Sequence, residues 1–314
     1  MAKLLMYEDV YLWHYVPSLT ASIVLSALFG LATIYHTWRM FRARMWFWAP
    51  FVIGGICEIL GYMSRAIAYN NTGSLAIYIM QATFLLLPPI FFAASMYMVY
   101  SRIVRSVVNG PAFSLIAPRW STRLFVLGDF LCLNIQGNGA GLLADQETVH
   151  IGNPIVVTGL IFQVLLFLGF ILMCYRFHQR FRRHLAETGA ACDVPWRSYL
   201  LVLYCMSAAI LGRNVYRVVE YIMGDDGYLM QTEWPTFAFD SAPMFAVMVA
   251  FGIWFPGGLR PRERDSMIEL NSEAGLAEQG PSTKSANPTV YSLSKRIVWN
   301  VLRVVTFGIV PALT

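Results

Sequence analysis

The sequence is short of charge. Only 13% of its 314 residues are Asp, Glu, Lys or Arg, about half the share in a soluble domain. With 57% hydrophobic residues, a soluble fold could not cover its own surface, so the composition is that of a polytopic membrane protein. Further absences exclude particular functions. No GxxxxGK[ST] occurs, so the chain has no ATPase motif of its own. No HExxH occurs, and His14, His36, His150, His178 and His184 are scattered, which speaks against a metal enzyme. No Lys lies in an apolar run, which excludes a retinal Schiff base. The five cysteines form no CxxC: Cys57, Cys132, Cys174 and Cys205 fall in apolar runs and Cys192 in a basic loop. Neither a disulfide framework nor a thiolate metal site is implied. The outer cysteine pair of rhodopsin-like receptors is missing, and so is a Glu/Asp-Arg-Tyr after the third apolar run, where Tyr97 to Arg102 reads YMVYSR. No cofactor is expected.

What is present is seven apolar runs, at about 15–38, 45–69, 74–100, 123–143, 154–175, 198–223 and 235–255. Each has about 20 residues or more, enough to cross a ~30 Å hydrocarbon core. The expected fold is an all-α membrane protein with a seven-helix transmembrane domain over 15–258. Residues 1–14 are expected outside and lack the pattern of a signal peptide. Residues 259–314 are expected as a cytoplasmic tail. Its 260–295 stretch is polar and reads as disordered, and 295–310 reads either as an amphipathic helix on the inner leaflet or as a disordered end.

The net charge of +5 does not point to nucleic acid, because the positive residues sit in short clusters between apolar runs. Arg39, Arg42 and Arg44 come after run one; Arg102, Arg105, Arg119 and Arg123 after run three; Arg176, Arg180, Arg182, Arg183 and Arg197 after run five. The alternate loops carry Asp145, Glu147, Asp225, Asp226 and Glu233. This asymmetry predicts the N-terminus outside and the C-terminus in the cytoplasm. Asn70-Asn71-Thr72 is a glycosylation sequon on the outer side, but the loop is so short that Asn70 sits close to the membrane, which weighs against modification.

The runs themselves contain ionisable groups. Run two carries Glu58 and Arg65, run four Asp129 and Gln136, run six Arg213, Tyr216, Arg217 and Glu220, and run seven Asp240. A charge at the bilayer centre costs roughly 2.5–3.5 kcal/mol on insertion scales, so these side chains should face a polar interior. Arg213, Arg217 and Glu220 fall within about 60° of one helix face. Runs two and six cross in the same direction, with Glu58 level with Arg213 and Arg65 level with Glu220. Level matching therefore predicts two cross-helix rungs, Glu58–Arg213 and Arg65–Glu220, with Arg217 reaching Asp240. Asp129 is then left without a partner, as either a proton-coupling acid or a simple hydrogen-bonding one. Pro88-Pro89 should kink run three and free backbone carbonyls.

These motifs, taken in order, resemble the fungal lipid-translocating exporter family, the resistance-to-aminocholesterol-like proteins. The matching residues are Tyr15-Val16-Pro17-Ser18, Glu58-x-x-Gly61-Tyr62-x-x-Arg65, Pro88-Pro89 with Ala93-Ala94 and Tyr97, and Asp129 with Gln136 and Gly139. They continue with Arg213-x-x-Tyr216-Arg217-x-x-Glu220, Glu233, and Asp240 with Pro243-Met244. One departure is that Phe255-Pro256-Gly257 stands where the family usually has His-Pro-Gly. The resemblance implies a multi-pass protein linked to export or flipping of amphipathic lipids, such as sphingoid bases or sterol-like toxicants, and hence to resistance against toxic amphiphiles. Membrane lipids and amphipathic small molecules are the implied partners; no residue pattern bears on oligomeric state. Two classes fit: a lipid translocase, expected in the plasma membrane, or a seven-helix sensor that regulates lipid asymmetry without moving lipid. An enzyme is not expected, because no nucleophile–base set is visible.

Overall fold

The computed structural model describes residues 13, 15–107, 110–142, 149–189, 195–224 and 227–254. The expected tail over 259–314 with its 295–310 segment, most of the expected 1–14 segment and Phe255-Pro256-Gly257 lie outside the described residues. All regular structure among the described residues is helical.

α1 (Leu19–Arg42) starts at Ser18, whose side chain caps the helix by accepting from the Ala21 N–H. A 3-10 turn, Trp46–Trp48, leads into α2 (Ala49–Ala68), with Pro50 in the first turn where no N–H is needed. The third apolar run is two helices, α3 (Leu75–Leu86) and α4 (Pro88–Ser106), divided at Leu87. The expected proline break is thus present, and the proline pair opens α4. A short α5 (Gly110–Phe113) precedes α6 (Pro118–Leu142), α7 (Val149–Thr188) and α8 (Trp196–Met223). After a short α9 (Tyr228–Gln231), a π-helical turn (Thr236–Ser241) runs into α10 (Ala242–Ile253).

Six segments are long and apolar enough to cross a membrane: Leu19–Arg42, Trp46–Ala68, Leu75–Ser106, Ile151–Thr188, Trp196–Met223 and Thr236–Ile253. The seventh expected run is α6. It is long enough, but Arg119, Arg123, Asp129, Asn134, Gln136, Asn138 and its glycines leave it less apolar than the others.

Contacts fix the relative directions of the helices. Ser18, Arg65 and Glu233 meet at one end. Arg39 donates to the Gly252 carbonyl at the other end, 2.6 Å away. α1 and the last helix are therefore parallel, and α2 is antiparallel to both. Phe47, before α2, stacks under Arg102 of α4. Thr122 of α6 donates to the Tyr97 carbonyl, and Asn153 at the start of α7 donates to the Tyr221 carbonyl at the end of α8. The helical columns, α6 included, thus alternate in direction along the chain. α7 has 40 residues, about 60 Å at 1.5 Å per residue, twice the ~30 Å hydrocarbon core. Its second half carries Arg176, Arg180, Arg182 and Arg183, all exposed.

The interior is packed with aromatic rings. Trp48, Phe51, Phe92 and Phe251 interlock at the Arg39 end, and Tyr97, Phe125, Phe167 and Phe170 between α4, α6 and α7. The outer faces are apolar too: Leu31, Ile34, Ile53, Leu165, Leu168, Leu172 and Leu201 are exposed. Such faces suit lipid rather than water. This is a multi-pass, integral membrane protein.

Candidate functional site

Ionisable side chains from α2, α8 and the π-helical turn converge inside the bundle. Asp240 is the hub, with 1% of its surface exposed. Arg213 Nε lies 2.6 Å from Asp240 Oδ1, and Arg217 Nη2 lies 2.5 Å from Oδ2. Two guanidinium groups one helical turn apart therefore share one carboxylate. Arg217 also pairs with Glu220 at 2.8 Å, and the Tyr216 hydroxyl donates to the second Glu220 oxygen at 3.0 Å. Arg213, Arg217 and Glu220 thus act as the single polar face that their spacing predicts, and Tyr216 joins it through Glu220. The π-helical turn sets the other side of the site. Its wider winding carries Asp240 and Ser241, and the Ser241 hydroxyl bonds to Tyr62 on α2 and to the Thr236 carbonyl.

Arg213 makes a second bond, through Nη2 to the Leu85 carbonyl at 2.7 Å. In an unbroken helix that carbonyl would accept from residue 89, but residue 89 is proline and has no N–H. The close approach of α3 that permits this bond depends on Gly61. A Cβ there would lie 2.8 Å from Leu85 Cγ.

Arg65 belongs to a separate group nearer the Ser18 end. It is 3% exposed and pairs with Glu233 at 2.8 Å. It also donates to the Tyr15 hydroxyl at 2.8 Å and stacks over the rings of Tyr15 and Phe237. Glu233 in addition accepts from the Ser18 N–H at 2.8 Å, so one carboxylate ties the start of α1, the end of α2 and the approach to the last helix.

Two expected rungs are corrected by this geometry. Arg213 pairs with Asp240 rather than Glu58, and Arg65 pairs with Glu233 rather than Glu220; the expected Arg217–Asp240 contact is present. Level along the bundle gives depth only. Which residue meets which depends on the rotation of each helix, and the π-helical turn brings Asp240 between the two arginines. Glu58 stays in the same neighbourhood, within electrostatic reach of Asp240, Arg213 and Arg217. It is 1% exposed, and its Oε2 has no hydrogen-bond partner.

Asp129 makes the interhelical hydrogen bond that is one of its two expected roles. The Tyr97 hydroxyl of α4 donates to its Oδ2 at 2.8 Å. Gln136 donates to Gln163 of α7 at 2.9 Å. Asp129 and Gln136 therefore line the α4–α6–α7 side and take no part in the hydrogen bonds and ion pairs of the Asp240 hub. Asn70 is exposed in the connection between α2 and α3, while Thr72 of the same sequon is buried. Among the described residues, no group of three or more His, Cys, Asp or Glu is placed to hold a metal ion. Sequence reasoning missed the roles of Glu233, treated as an outer-loop acid, and of Tyr15, Tyr62 and Tyr97. All four lie in the motifs that carried the family resemblance, and that was the available signal.

The family described as RTA1 like protein matches this chain over residues 51–263. The chain belongs to the RTA1-like family. Its relatives in Saccharomyces cerevisiae include Protein RTM1, 31% identical over 208 residues, which are 64% of this chain and 65% of that relative. Protoporphyrin uptake protein 1 is 29% identical over 277 residues, covering 77% of this chain and 91% of that relative. Sphingoid long-chain base transporter RSB1 is 24% identical over 278 residues, covering 77% and 72%. The chain thus spans just under two thirds of RTM1 and most of the other two. No solved structure matches this RTA1-like chain.

Proposed function

We propose that this RTA1-like protein is a translocase that carries amphipathic lipids, sphingoid-base-like or sterol-like, across the plasma membrane and so contributes to resistance against toxic amphiphiles. The observation that carries this reading is the Asp240 hub: a polar face with Asp240, Arg213 and Glu220 buried and Arg217 partly so, inside a bundle whose outer surface is apolar. Such a bundle offers a headgroup a polar route through the bilayer while the acyl chain stays in contact with lipid. The names of two relatives, a sphingoid long-chain base transporter and a protoporphyrin uptake protein, support amphiphiles as cargo. Asp240, Arg213, Arg217 and Glu220 are engaged with one another rather than arranged as nucleophile and base, which supports a carrier and not an enzyme. In this reading α6 is the seventh span, its polar residues turned to the interior, with the N-terminus outside and the C-terminus cytoplasmic.

The test is reconstitution of the purified protein into liposomes with a fluorescent sphingoid base. Acceleration of transbilayer movement is the expected result, abolished by Asp240→Asn. Intact binding with no acceleration would overturn the carrier reading and make the protein a sensor of the same lipids.

A further inference from the structure

The acids and bases of the hub do not balance. Arg213 and Arg217 face Asp240, Glu220 and Glu58, while the third arginine of the interior, Arg65, is held by Glu233. Asp240 has both arginines, and Glu220 has Arg217 and the Tyr216 hydroxyl. Glu58 alone of the three has a buried carboxylate oxygen without a hydrogen-bond partner. A buried carboxylate oxygen in that condition calls for a donor from outside the protein's own set. We propose that Glu58 is a headgroup subsite that takes the ammonium group of a single-chain amphiphilic amine.

The alternatives fit this site worse. A phosphate headgroup would need a free guanidinium, yet both arginines of the hub already have carboxylates, and a new anion would add to the excess of acids. A lone hydroxyl would leave the excess negative charge unanswered. An alkylammonium brings one positive charge and N–H donors, matching the one unpaired acid. The charged groups that reach Glu58 electrostatically are Arg213 and Arg217 on α8 and Asp240 on the π-helical turn. On the helices packed against α2, Arg39 and Arg42 of α1 and Arg102 and Arg105 of α4 sit in the closing turns of those helices, and α3 carries no charged residue. This inference rests on the carrier reading only for its route of entry. The subsite itself stands whether or not the lipid then crosses.

The test uses the full-length protein in nanodiscs, with octadecylamine labelled at its tail, its N-acetyl derivative, and octadecyl phosphate. The wild type should bind the amine at least ten-fold more tightly than either analogue. Glu58→Gln should lose that preference, and Glu58→Asp should keep part of it. Equal binding of amine and N-acetyl amide by the wild type, or an undiminished preference in Glu58→Gln, would overturn the proposal. A measurement on the wild type covers the case in which Glu58→Gln fails to fold. Labelling by a hydrophobic carbodiimide is monitored by mass spectrometry with and without saturating amine. Protection of Glu58 by the amine but not by the amide is expected; labelling that the amine leaves unchanged would overturn the subsite. Amine-selective binding without transbilayer movement would retire the carrier reading and leave this one in place.

Discussion

Arg213 donates to the carbonyl of Leu85, and that carbonyl is the one Pro89 deprives of its helical donor. A backbone defect in the third apolar run and a buried charge in the sixth thus satisfy each other. An unpaired backbone carbonyl in lipid costs several kcal/mol, so the kink is tolerable only while the arginine is in place.

Replacing Arg213 with Ala should lower stability by roughly 3–5 kcal/mol, because it breaks a buried ion pair. Pro89→Ala restores the N–H that Leu85 lacks and should make the arginine less important. In a double-mutant cycle read from unfolding midpoints in denaturing detergent, the two changes should be non-additive by about 0.5–3 kcal/mol. Simple additivity would mean the carbonyl and the arginine are not coupled.

Arg65 offers a test of pairing by charge exchange. Arg65→Glu alone should reduce the yield of monodisperse protein sharply. Adding Glu233→Arg should restore part of it, whereas adding Glu220→Arg should not. Size-exclusion profiles of the three variants decide the matter, since Glu233 lies within ion-pair distance of Arg65 while Glu220 is held by Arg217 and Tyr216.

Gly61→Ala should push α3 off α2. The new methyl would meet Leu85 at 2.8 Å, and overpacking of this kind costs about 1–3 kcal/mol. A lower melting temperature, with a larger relative loss in lipid movement, is the expected outcome. Gly30→Ala, where a Cβ meets nothing within 4 Å, is the control and should lower neither, since Ala favours a helix interior over Gly.

Asp129 separates a structural acid from a working one. Asp129→Leu leaves the Tyr97 hydroxyl buried without an acceptor and should cost about 1–3 kcal/mol. Asp129→Asn keeps an acceptor oxygen and should melt within about 1 kcal/mol of wild type, given that the hydrogen bond has a neutral donor in either case. If Asp129→Asn nevertheless stops lipid movement, the residue's charge or proton is needed for the work and not for the fold.

The helical segments were legible in the sequence because a bilayer dictates about 20 apolar residues per crossing, and the break at Leu87 because proline cannot complete the ladder. The residues of the interior were legible because ionisable groups in apolar runs are rare and must turn inward. Their partners were not. Glu58 and Arg213 match in depth, yet Asp240 takes the arginine because depth says nothing of rotation about a helix axis. Glu233 was hidden by its position at the edge of a run, where an acid ordinarily faces water. The Tyr97–Asp129 bond escaped because a tyrosine in an apolar helix carries no sign of whether its hydroxyl is used.

The π-helical turn has a consequence for how this last segment tolerates change. Between Thr236 and Ser241 the chain holds about one residue more than an α-helix of the same height. Deleting one residue there would hardly alter the length or hydropathy of the run. An α-helical turn would then replace the wide one, and the residues on either side would keep both their height and their angular phase. What changes is the aim of the turn's own side chains, Asp240 and Ser241 among them, which would lose their bearing on the arginines and on Tyr62. In this part of the molecule a single-residue deletion would therefore heal the helix and disarm the site.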